Sequence, residues 1–235
     1  MTRLVSTMQL DVKLQIRNRF YHIVFGLALL NVIALPRIFG REQLAEVLPV
    51  LLLMIMSATT FLLVAGMVIF EKGERNLEAL VITPVRNSEY LLSKLITLTA
   101  LATVEAAFIA LLTYGLGFNP LLLFGGIIVL GLMYTLFGFI LVVRYNTVTD
   151  FLVPAMLVIL ALQIPFLDAL GMLSSPLFYL IPTQAPLLLM KAAFEPIEVW
   201  QLVYALAYAA VTIGVTFAWA QRAFNRFVIL GGRRD

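Results

Sequence analysis

Glu71-Lys72-Gly73-Glu74-Arg75-Asn76-Leu77-Glu78-Ala79-Leu80-Val81-Ile82-Thr83-Pro84-Val85-Arg86-Asn87-Ser88-Glu89-Tyr90-Leu91-Leu92-Ser93-Lys94 is the one long charged passage between two very apolar runs. Its spacing predicts a short helix. Gly73 is expected to break the apolar helix before it. Leu77, Leu80 and Val81 recur at i, i+3 and i+4, so they share one face. Glu74 and Glu78 lie one turn apart. Pro84 ends the helix, because the residue before a proline is pushed out of the α region. Asn87 or Ser88 then caps the next helix, with Glu89 in its first turn. On pattern alone the same passage also reads as an ordinary polar loop.

Outward from this passage the chain is too apolar for a water-facing exterior. Of its 235 residues 62% are hydrophobic and 12% charged, and the mean hydropathy is +1.02. Polar residues are too few to cover a soluble domain. The class is therefore an all-α, multispanning membrane protein. Six runs approach the ~20 apolar residues that a span requires. They cover about 20–38, 48–70, 89–116, 120–143, 148–167 and 200–220. The first lacks a clear small-residue cleavage site and reads as a retained span. Residues 171–194 are apolar but interrupted by Pro176, Pro182 and Pro186. They cannot form a straight span, and read as short broken, re-entrant helices whose freed backbone groups are covered by protein or water.

Arg3 to Arg19 reads as an amphipathic helix in the membrane interface. Leu4, Val5, Met8, Val12 and Ile16 lie on one side, with Arg3, Gln9, Lys13 and Arg17 on another; Leu10 and Leu14 spoil the pattern. Both termini are expected in the cytoplasm. That topology puts thirteen of the sixteen basic residues inside and only Arg37, Arg41 and Lys191 outside, as the positive-inside rule requires. It also places the Glu71–Lys94 passage in the cytoplasm. With neither repeats nor a long linker, residues 1–235 read as one transmembrane domain.

The passage resembles the cytoplasmic loop of ABC-2 type exporter permeases. The matching residues are Glu71 and Gly73, then Leu77-Glu78, Leu80 and Thr83-Pro84, and finally Glu89-Tyr90-Leu91 with Lys94. The run from Asp11 to Tyr21 and the later Pro182-Thr183-Gln184 are similar to the subgroup of fluoroquinolone-export permeases. The resemblance implies that the loop is a coupling helix seated in a groove of a separate ABC ATPase subunit. Its coupling residues would be Glu71, Gly73, Glu74, Leu77, Glu78, Leu80, Val81, Thr83 and Pro84. It further implies a bacterial-type plasma membrane, a second permease chain as dimer partner, identical or similar, and an apolar or amphipathic, drug-like or lipid-like substrate moved outward. ATP and Mg would sit on the ATPase, and this chain would bind no cofactor.

The residues themselves agree with a non-catalytic role. There is no Gly-Lys dipeptide, so no Walker-type phosphate loop. A single histidine, His22, and no cysteine leave no histidine pair for a metal and no triad except through His22, which reads as an interfacial residue. The basic residues sit beside apolar runs, which points to membrane lipids and away from nucleic acid. Glu105 is the clearest anomaly, a carboxylate inside the third run. If ionised at a helix centre it costs roughly 2.5–3.5 kcal/mol to insert. It reads either as a substrate-path or proton-linked group, or as a hydrogen-bonded structural one. Ala102, Ala106 and Ala110 beside it permit close helix packing. Asn31 and Gln163 are weaker candidates for the same path. A rival function follows from Glu105, a proton-coupled secondary transporter that would need no ATPase.

Overall fold

The computed structural model describes residues 2–73 and 87–229. Among these residues the regular structure is helical, and six helices are long and apolar enough to cross a membrane. The protein is a multi-pass membrane protein.

Helix α1 covers Thr2–Arg17 and α2 Phe20–Ile38. The turn between them passes through Arg19, which has a left-handed φ of 59°. Helix α3, Arg41–Gly73, has 33 residues, or about 50 Å at 1.5 Å per residue, well beyond a ~30 Å hydrocarbon core. It starts seven residues before the apolar run expected at 48–70. Pro49 lies buried within it without ending it. Pro49 is the ninth residue of α3, so its missing N–H removes the helical bond that the Ala45 carbonyl would accept, and the helix runs on past it. Gly73 is the last described residue of α3, and its φ is not in the left-handed region. The break expected at this glycine falls at the edge of the described residues.

Helix α4 covers Asn87–Thr113 and α5 Pro120–Val142. Asn119 caps α5 by accepting the Leu121 N–H at 3.1 Å, and Pro120 takes the first helical position, where no N–H is needed. Helix α6 spans Val148–Gln163, capped by the Thr147 hydroxyl, and a short α7 follows at Phe166–Ala169. Pro165 separates the two. A 3-10 turn at Pro176–Leu180 leads to α8, Gln184–Lys191, and then to α9, Val199–Phe224. A single π turn, Asn225–Ile229, continues α9.

Helix α5 is the hub, packed against α3, α4, α8 and α9. In the most apolar stretches of α3, α4 and α5, 67%, 56% and 67% of residues are buried, against 17%, 28% and 22% for α2, α6 and α9. The first three are hydrophobic all round because they are surrounded by protein. The latter three turn exposed Leu, Val, Met and Ile side chains outward, such as Leu30, Val153, Leu157 and Val211, as a membrane span does.

The proline-rich connection does consist of short broken pieces. Two of its backbone carbonyls are met by side chains of α9. Tyr204 and Tyr208, one turn apart on α9, donate to the carbonyls of Tyr179 (2.5 Å) and Leu180 (2.6 Å). Thr183 donates to the Leu162 carbonyl at the end of α6, and Gln184 donates to Asp168 at 3.0 Å. Helix α8 is buried almost throughout and presses on α5 at Gly126. A Cβ there would come within 2.6 Å of Met190 Cγ and 2.9 Å of the Pro186 carbonyl oxygen, so only glycine allows this approach.

Candidate functional site: the ends of the 71–94 passage

The last turn of α3 and the first two turns of α4 bring the two ends of the deciding passage together. Tyr90, Ser93 and Lys94 fall at i, i+3 and i+4 on α4 and share one face. That face meets Glu71 of α3 and Asp11 of α1. The Lys94 ammonium donates to Glu71 Oε1 and to Asp11 Oδ1, a two-armed ion pair. The second carboxylate oxygens are also satisfied. Tyr90 donates its hydroxyl proton to Glu71 Oε2 at 2.5 Å, and Ser93 donates to Asp11 Oδ2 at 2.5 Å. Asp11, Lys94 and Ser93 are each no more than 1% exposed, and Glu71 6%.

A buried charge is tolerated only when paired and hydrogen-bonded. Here one cation serves two carboxylates, and two hydroxyls complete the set, leaving a formal charge of −1. The Tyr90 ring closes one side. It stacks on Phe224 of α9 at a centroid distance of 5.0 Å and lies 5.0 Å from the Lys94 ammonium. Gln15, one turn after Asp11 on the same side of α1, is completely buried, and neither of its amide atoms has a hydrogen-bond partner among the described residues.

Two further ties hold the roots of the passage. Lys72 donates to the carbonyls of Val143 and Tyr145, both at 2.8 Å, so its charge sits at the carbonyl-rich C-terminus of α5. Asn87 donates to Asn225 Oδ1 at 2.6 Å, linking the start of α4 to the end of α9. The two ends of the passage are therefore tied to α1, α5 and α9.

The sequence candidates distribute as follows. Glu71 is in the cluster, and Gly73 is exposed at the end of α3. Glu74, Leu77, Glu78, Leu80, Val81, Thr83 and Pro84 lie outside the described residues. Glu105 is completely buried between α4 and α3, where its Oε2 lies 2.9 Å from the Thr59 hydroxyl. Its Oε1 has no partner among the described residues. Gln163 donates to Ser57 Oγ at 2.5 Å. Ser57 and Thr59 are about 200° apart around α3, so Glu105 and Gln163 bind different sides of that helix. Asn31 donates to the Leu27 carbonyl of its own helix at 2.9 Å. The three are not brought together.

Sequence reasoning missed Asp11, Tyr90, Ser93 and Lys94 as site residues. The helix expected over residues 3–19 forms as α1, with its Asp11–Gln15 side towards the protein. Val5 and Ile16 are exposed, while Asp11, Leu14 and Gln15 are buried. The available signal was the shared spacing of Tyr90, Ser93 and Lys94, with one acidic residue in the first 38.

Comparison with known proteins now adds the family. A model of the fluoroquinolones export permease protein family matches residues 2–231. The chain belongs to this family. Two relatives are named fluoroquinolones export permease proteins, from Mycobacterium tuberculosis strains CDC 1551 / Oshkosh and H37Rv. Each is 36% identical to the permease over 233 residues, covering 97% of this chain and 98% of the relative. The matched region includes the whole cluster, from Asp11 to Lys94. The chain is thus an export permease, a transporter component.

Proposed function

We propose that this permease is the membrane-spanning part of an ATP-driven exporter. A separate ABC ATPase, carrying ATP and Mg, engages residues 71–94 on the cytoplasmic side, where both termini also lie. The observation that carries this reading is the buried Asp11–Lys94–Glu71 cluster at the root of that passage. A loop that merely connects two spans needs no buried ion pair at its base. A loop that transmits force must not peel away from the helices that it moves, and the cluster clamps α3, α4 and α1 together there. The thirteen-to-three basic asymmetry supports the orientation. Two permease chains, identical or similar, would complete the exporter in a bacterial-type plasma membrane. The relatives' names support an amphipathic, drug-like substrate of the fluoroquinolone kind. The broken pieces before α9 would sit partway into the outer side, and α1 in the inner interface.

The face made by Leu77, Leu80 and Val81 suits a groove on the ATPase, with Glu74 and Glu78 meeting basic groups. Interface energy concentrates in a few central residues. The test is capture of the ATPase by tagged permease, with ATP hydrolysis measured in vesicles. Leu77→Asp should lose the ATPase and coupled hydrolysis while inserting normally. Retention of both by that variant overturns the coupling role.

Glu105 supports a second reading, proton-coupled transport. Its buried carboxyl has the Thr59 hydroxyl beside one oxygen and no partner for the other among the described residues. Transport that persists without any ATPase, driven by a proton gradient, would favour it. Under either reading, Glu105, Asn31 and Gln163 are the candidate polar points along the substrate path.

A further inference from the structure

A groove of about 240 Å³ runs along the outer side of α4, between α1 and α2. Met8 and Val12 of α1, Tyr21 of α2, and Ile96, Ala100 and Val104 of α4 line it. The three α4 residues recur every fourth position and form one stripe. The stripe is about 12 Å long at 1.5 Å per residue, and Ile96 and Val104 are 37% and 49% exposed. Helix α1 contributes to the groove through Met8 and Val12. The groove is therefore a slot for something linear and apolar, with α1 beside it.

The polar surroundings on α1 and α2 are mainly basic, and Glu89, two turns before Ile96 on the same side of α4, is the acid near them. Residues 2–38 contain a single carboxylate, Asp11, and it is buried against Lys94 and Ser93. Lys13 follows Val12 directly and is exposed, as is Arg19 in the turn two residues before Tyr21. Residues 2–19 carry four basic residues, Arg3, Lys13, Arg17 and Arg19, so this end of the groove is net basic even with Glu89 beside it. Tyr21 lines the groove, and its side chain is amphipathic, an apolar ring with a hydroxyl that can donate to an ester or phosphate oxygen.

We propose that this groove binds one phospholipid with an anionic headgroup, its acyl chain along Ile96, Ala100 and Val104 and its headgroup held by Lys13, Arg19 and Tyr21. An apolar slot alone would accept any chain. The basic residues make the difference, because a polybasic surface near the headgroups favours anionic lipid. Assignment to the inner leaflet rests on the cytoplasmic placement of α1 in the proposed function; the binding itself does not. Bound there, the lipid would touch α1 and α4, the two helices joined by the Asp11–Lys94 pair.

The test uses the full-length permease, without any ATPase, in phosphatidylcholine nanodiscs. These contain a few per cent of a diazirine-acyl probe, either phosphatidylglycerol or phosphatidylcholine. After irradiation, labelled peptides are mapped by mass spectrometry. The phosphatidylglycerol probe should label the segments around Ile96–Val104 and Met8–Val12 several-fold more than the phosphatidylcholine probe. Ala100→Leu should fill the slot and reduce that label several-fold. Lys13→Gln with Arg19→Gln should bring the two probes to equality, while Lys13→Arg with Arg19→Lys should keep the preference. The two charge positions are exposed, so their variants keep the experiment decisive if Ala100→Leu folds poorly. Equal labelling of the wild type by both probes means annular lipid only and overturns the proposal, as does labelling confined to other faces such as Leu157 on α6. ATPase capture is not read in this experiment, so this proposal and the coupling reading fail separately.

Discussion

Replacing Lys94 with methionine is the most informative perturbation of this protein. Methionine approximates the length of the lysine stem and removes only the ammonium group. That group donates to both Glu71 and Asp11, and all three residues are buried. Removing it leaves two carboxylates facing each other away from water, each keeping one hydroxyl donor, Tyr90 or Ser93. Breaking a buried pair by removing one partner costs roughly 3–5 kcal/mol, because an uncompensated charge remains. Uptake of a proton by one carboxylate would reduce this, so a loss near the lower end is expected. Asp11→Asn provides the contrast. It leaves Lys94 paired with Glu71 in a neutral cluster and the asparagine oxygen as an acceptor for Ser93, so its cost should be smaller, about 1–2 kcal/mol for one weakened polar contact. The assay is reversible denaturant unfolding of the permease in detergent micelles. A double-mutant cycle between Lys94→Met and Glu71→Gln should show a coupling energy of about 1–3 kcal/mol. If Lys94→Met changes stability by less than about 0.5 kcal/mol, as a surface substitution does, the clamp assigned to this cluster is wrong.

Two further outcomes follow from the packing. Gly126→Val places a branched side chain where Met190 and the Pro186 carbonyl already crowd a single Cβ, so overpacking should cost roughly 1–3 kcal/mol in the same unfolding assay and detach α8 from α5. Limited proteolysis around residues 184–191 reads the detachment. Glu105→Gln keeps the shape and a hydrogen bond to Thr59, so stability should stay within about 0.5 kcal/mol, whereas Glu105→Leu should lose about 1 kcal/mol with that bond. Transport by the Gln variant should fall if Glu105 lies on the substrate path, and unchanged transport with unchanged stability in both variants overturns both readings of this residue.

The polar contacts inside this bundle are few and local, and they explain why single substitutions can be decisive. Water cannot replace a lost partner in the apolar interior, so each buried polar group depends on a neighbouring helix. The 71–94 passage illustrates the consequence. Its two roots are held by Lys72 on the end of α5, Asn87 on α9, and Lys94 on α1 and α3. A displacement there has short routes into four other helices.

The sequence by itself determined the class, the number of spans and most of their limits. Those properties follow from mean apolarity and run length, which are sums over residues and need no partner. The first and fourth spans were placed within one residue, because Arg19 precedes the start of one run and Asn119-Pro120 starts the other. The sequence also singled out residues 71–94, since charge between apolar runs is visible locally. It did not reveal that Glu71 and Lys94, the two ends of that passage, form an ion pair, nor that Asp11 completes it from 83 residues away. Nor did periodicity place the inward face of α1. A hydrophobic pattern ranks faces by apolarity alone, and here the face with Asp11 and Gln15 turns inward, where Asp11 pairs with the buried Lys94. Such pairings depend on which helices become neighbours, and only the tertiary structure decided that.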